Sequence, residues 1–140
     1  MGRAPRYKLA DTAQQVVGGF LLAGPFVVTE EVWTLAENMT WWHVAATVAV
    51  VFAIGYGALY EADDDRDPDR EAEVAGIPLR FVSLMLVSYG SVAVLALTLT
   101  APSTFVENAT TFERAQITAR AVSVGAIFSV VGAATADSVF

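Results

Sequence analysis

Four separate runs of this chain are apolar over lengths that match a lipid bilayer, and hydrocarbon leaves a backbone few choices. Every N–H and C=O must find a partner inside the protein, so only α-helices and closed β-barrels span. Segments of alternating polarity, which a barrel needs, do not recur here. The chain therefore reads as all-α, a single polytopic membrane domain with four transmembrane helices. The runs place these at about residues 13–33, 41–60, 77–100 and 115–138, with an acidic loop at about 61–76. A content of 55% hydrophobic residues in 140 agrees, since a soluble domain of that size would leave much of this surface in water.

The formal charge is −7, and the acid excess is concentrated in Glu61–Glu73, EADDDRDPDREAE. An acidic, lysine-poor chain rich in Ala and Val has the composition of proteins from extreme halophiles, whose carboxylates stay hydrated in strong salt. The same balance argues against a nucleic-acid partner. With no cysteine, disulfides, thiolate metal sites and a cysteine nucleophile are excluded. One histidine and no nucleophile–base arrangement give no case for an enzyme, and no cofactor motif is present.

Local signals mark the helix ends. Asp11 or Thr12 is suited to cap the first helix, Trp41, Trp42 and Tyr60 fall where interfacial aromatic belts belong, and Pro78 opens the third helix. Ala49, Ala53 and Gly57, and again Ala121, Gly125, Ser129 and Ala133, form small-residue stripes that read as helix packing within or between protomers. Arg120 and Asp137 bracket an apolar stretch of only about 24 Å, so each must snorkel or find a partner in protein. Arg3, Arg6, Lys8, Arg66, Arg70 and Arg80 sit on one side of the predicted topology and Arg114 and Arg120 on the other. The positive-inside rule then puts both termini and the acidic loop in the cytoplasm of a cell-membrane protein. Asn38 and Asn108, each opening an N-x-T sequon, fall outside.

The chemistry concentrates in Gly18 to Trp33, GGFLLAGPFVVTEEVW. Pro25 removes a helical hydrogen bond and predicts a kink. Glu30 and Glu31 are either shallow carboxylates reaching headgroup water or acidic groups lining an oligomeric pore, where rings of carboxylates select cations. Glu30 shares a helical face with Gln15, Gly19, Ala23 and Phe26; Glu31 shares one with Phe20 and Gly24. Thr29 is a candidate third member of the cation site, through its own hydroxyl or a carbonyl freed near Pro25. Arg120 lies at similar depth and is the candidate charge partner for Glu30 or Glu31, a pair that would be structural first. His43, near the same interface, is a possible pH sensor or simply an interfacial histidine.

Through Gly18-Gly19, Pro25, Thr29, Glu31 and Trp33 the chain resembles a prokaryotic integral-membrane family of unknown function, whose first helix carries a glycine pair, a proline and Thr-x-Glu-x-Trp. With its composition, this implies a short haloarchaeal member; it implies no activity. The layout is also similar to that of Orai calcium channels, in architecture alone. The expectation is a homo-oligomeric membrane protein passing an inorganic cation by Glu30 and Glu31. Its rival is a structural or accessory subunit whose charges serve packing.

Overall fold

The computed structural model describes residues 9–61, 73–74 and 76–139, so most of the predicted acidic loop lies outside the described residues. The elements are α1 (Leu9–Val27), α2 (Glu30–Asn38), α3 (Trp41–Tyr56) running into a π-helical turn (Gly57–Glu61), β1 (Glu73–Val74), β2 (Ile77–Pro78), α4 (Leu79–Thr98), α5 (Ala101–Phe105) and α6 (Thr111–Val139). The two strands form a minimal antiparallel pair, Glu73 opposite Pro78 and Val74 opposite Ile77. Gly76 provides the positive φ of 82° beside it, a conformation that costs glycine nothing.

Three spans, Trp41–Tyr60, Leu79–Thr98 and Thr111–Asp137, are each long and apolar enough to cross a membrane, and α1 with α2 makes the fourth only as a bent pair. This corrects the straight first helix expected over 13–33. Helix α1 starts earlier, at Leu9, and stops at Val27; α2 then leaves at 80°. At about 28 Å, α1 nearly matches the hydrocarbon thickness by itself, so the bend lays α2 almost flat across that end of the bundle.

The break has a local cause. Pro25 deprives the Leu21 carbonyl of its donor, and the β-branched run Val27-Val28-Thr29 resists further helix. Two carbonyls at the end of α1 are taken up: both the backbone N–H of Thr29 (3.4 Å) and its hydroxyl (3.1 Å) donate to Phe26 O. The indole Nε1 of Trp33, a fully buried ring, donates to Val27 O at 3.0 Å. Pro25 thus lies just ahead of the break rather than at its corner.

Helices α1, α4 and α6 form the packed centre. Their closest approach is α1 against α6 at Gly18 and Gly132, where a Cβ on Gly18 would lie 2.1 Å from the Gly132 carbonyl oxygen. Ser129 Oγ donates to Gly19 O at 3.2 Å one turn on. Below this crossing, Leu59, Tyr60, Phe81, Leu84 and Val130 build one apolar cluster; above it, Trp33, Ala36, Val92, Val106 and Ala121 build another. We refer to the two ends of the bundle as the Arg80 end and the Trp33 end. The α6 stripe Ala121, Gly125, Ser129, Ala133 is buried within the protomer, whereas Ala49 and Ala53 on α3 face outward. After α4, Thr100 turns the chain with φ 56° into α5, where Pro102 sits in the first turn.

The Gly18–Gly132 contact generates a direct test. Gly18→Ala should destabilise the protein in detergent by about 1–3 kcal/mol through overpacking. Gly24→Ala, with nothing within 4 Å of the new methyl, should change stability by less than about 1 kcal/mol. Thermal unfolding of the two variants compares them.

Candidate functional site

The sequence-predicted residues converge on the Trp33 end but not on one another. Glu30 and Glu31 open α2, with Thr29 as its N-cap in extended conformation. Carboxylates in a first helical turn are favoured by the positive end of the helix dipole, by about 0.3–1 kcal/mol each. Both are exposed and, among the described residues, neither forms an ion pair. With Thr34 and Leu35 they line an open groove of about 530 Å³. The face that Glu30 would share with Gln15, Gly19 and Ala23 on a straight helix does not persist. The break resets the helical phase, leaving those three buried in the protomer and Glu30 in the open. Thr29 donates its hydroxyl proton to Phe26 O at 3.1 Å.

Arg120 does not meet Glu30 or Glu31. Its Nη1 reaches Ala36 O at 3.5 Å and its guanidinium lies over the Trp41 ring, 5.1 Å from the centroid. Once the chain turns through 80°, the glutamates are carried away from the α6 position that a straight span would have placed beside them. His43 is exposed in the first turn of α3, where its Nδ1 accepts from the Thr40 backbone N–H at 3.0 Å, closing a capping box. That bond requires an unprotonated Nδ1. No three His, Asp or Glu side chains gather to hold a metal ion among the described residues.

At the opposite end sits a constellation that sequence reasoning missed. Arg80, only 1% exposed, donates from Nη1 to Asp137 Oδ1 at 2.8 Å and from Nη2 to Asp11 Oδ2 at 3.2 Å. Gln15 Nε2 donates to the second Asp137 oxygen at 3.0 Å, and Ser83 Oγ donates to Gln15 Oε1 at 2.6 Å. Because Ser83 has spent its proton there, Thr12, 3.0 Å away, donates to Ser83. The network ties α1, α4 and α6 together at one level. It also corrects two sequence expectations: Asp11 and Thr12 lie within α1 rather than capping it, and Arg80 is buried rather than a loop charge; Asp137 finds a partner in protein, one of the two outcomes its position allowed. The available signal was spacing: Asp11, Gln15 and Gly18 on α1, like Arg80, Ser83 and Val87 on α4, repeat at three to four residues, the mark of one helix face.

Long apolar helices around a satisfied interior charge network define a polytopic α-helical membrane protein. Residues 3–139 match the model of a family described as "Putative integral membrane protein (DUF2391)", and the chain belongs to that family. No curated protein and no solved structure matches it. The residues that carried the resemblance have physical roles here: the glycine pair makes the α1–α6 contact, and Thr29 and Trp33 secure the break.

Two double-mutant cycles on thermal unfolding separate the two ends. Asp137→Leu alone should cost about 1.5–3 kcal/mol by removing the shorter carboxylate contact of a buried guanidinium that keeps Asp11, and adding Arg80→Leu should not add its full separate cost, a coupling above about 0.5 kcal/mol. Glu31→Leu and Arg120→Leu should instead add to within about 0.5 kcal/mol.

Proposed function

We propose that this membrane protein conducts or transports an inorganic cation as a homo-oligomer, with Glu30 and Glu31 as the acidic mouth. The observation that carries the reading is the placement of both carboxylates: exposed, without a described ion-pair partner, and lining an open groove at the end of the first span. Carboxylates so placed raise the local cation concentration and favour entry. The route lies between copies rather than through one, because the α1–α6 backbones touch at Gly18 and Gly132. The outward Ala45, Ala46, Ala49 and Ala53 of α3 offer a small-residue surface for a neighbouring copy.

The orientation belongs to the same proposal. With Arg80 buried and removed from the count, Arg3, Arg6, Lys8, Arg66 and Arg70 still outnumber Arg114 and Arg120, so the Arg80 end faces the cytoplasm of the cell membrane and Glu30 the outside. The bend limits the architectural likeness to channels with a straight glutamate-bearing first helix. The alternative is a non-transporting structural or accessory subunit, and the closed α1–α6 interior favours it.

Purified protein in liposomes separates the readings. Transport predicts cation flux that falls severalfold in Glu30→Gln and Glu31→Gln, with thermal stability changed by less than about 1 kcal/mol for these exposed positions. Absence of flux from the parent protein under several salts and potentials would establish the accessory role instead.

A further inference from the structure

We infer that Arg120, held between α2, α3 and α6, forms one side of a phosphate-binding site. Its ligand is the phosphate of a lipid headgroup or a free phosphate anion, and the surroundings favour the lipid.

Arg120 carries a charge that no described carboxylate compensates. A guanidinium offers five N–H donors and is always protonated in proteins. Arg120 is half-buried on α6, and its Nε is sealed from solvent with no hydrogen-bond partner. Its Nη1 reaches Ala36 O only at 3.5 Å, the outer limit of a hydrogen bond. The ring of Trp41 covers one face of the guanidinium but supplies no negative charge to pair it. No carboxylate meets it among the described residues: Glu30 and Glu31 stand in the first turn of α2, and Glu113 is bonded to Thr110 at 3.0 Å. Arg114, also on α6, makes a useful contrast. It places Nε and Nη2 on the single Val106 carbonyl at 3.1 and 3.0 Å, so its donors are engaged as those of Arg120 are not.

The depth then selects the ligand. Trp41 and Trp42 begin α3 with exposures of 52% and 85%, and exposed tryptophans at the mouth of an apolar span mark the headgroup level. The contact with Trp41 fixes Arg120 at that level. Thr111 to Ala119, which carry Glu113, Arg114 and Gln116, precede it on α6, and the apolar stretch follows it. With Nε sealed from solvent, the donors left for a ligand are those on Nη1 and Nη2, a planar edge that at this height matches a phosphodiester, which takes two parallel N–H donors.

Native mass spectrometry of the full chain in neutral detergent tests this with three probes: phosphatidylglycerol, a galactolipid with the same acyl chains but no phosphate, and inorganic phosphate. The site predicts that Arg120→Gln weakens phosphatidylglycerol retention about tenfold, the scale of one lost charge-assisted contact, and leaves galactolipid retention unchanged. Arg120→Lys keeps the charge without the fork, so its retention should fall between the two, and it serves as the test if Arg120→Gln does not fold. Inorganic phosphate that binds the parent but not the variant, and displaces phosphatidylglycerol, supports the site with the free anion as its source. Equal phosphatidylglycerol retention by parent and variants overturns the proposal. So does loss of an oligomer in Arg120→Gln with lipid retention intact, which would identify the counter-charge as a carboxylate of a second copy.

Discussion

A helix that ends beside hydrocarbon leaves carbonyls that water cannot reach, and each must be satisfied from within the protein. At the end of the first α-helix two residues do this for two of the carbonyls. Thr29 folds back on Phe26 O, and Trp33 reaches across the corner to Val27 O. Because those two carbonyls have partners, the chain can turn by 80° where an uninterrupted apolar helix would continue. The positions of Glu30, Glu31 and Ala36 follow from that turn, and so does the failure of the glutamates to meet Arg120.

The other end depends on a different solution to the same solvent problem. An arginine at 1% exposure is tolerable only if its charge and donors are matched, and Asp11 and Asp137 supply carboxylates from α1 and α6. Gln15, Ser83 and Thr12 then fix the orientation of the groups through a one-way chain of hydrogen bonds. Together with the Gly18–Gly132 contact this clamps three helices at two levels, leaving α3 as the peripheral span with much of its surface outward. Glu30 and Glu31 sit at the far end from that network.

Class was legible because long apolar runs admit few alternatives; of the four spans expected, three are single helices and the first is a bent pair. The starts of α3 and α4 fall at Trp41 and just after Pro78, residues whose local chemistry marks an end. The break at Thr29 was not legible, because its stabilising partner is an indole four residues on, and periodicity carries no information about a side chain reaching back across a corner. Nor was the Arg80 network: its members are 57 and 69 residues apart in the chain, and each alone has an ordinary local explanation as a cap, a loop charge or an interfacial residue. Asp137 came nearest, since its place at the end of a short apolar stretch demanded a partner without naming one. The glycine pair, read as part of a family resemblance, turned out to be a steric requirement.

The bend between α1 and α2, from which the placement of Glu30 and Glu31 follows, is measurable as a distance. Nitroxide labels at Ala13 and Glu37, both exposed, report it by pulsed electron spin resonance on protein in nanodiscs. An 80° bend at Val28-Thr29 predicts a backbone separation of about 28 Å at the standard helical rise. A separation near 36 Å, that of one uninterrupted helix, would contradict it and return Glu30 and Glu31 to the first span.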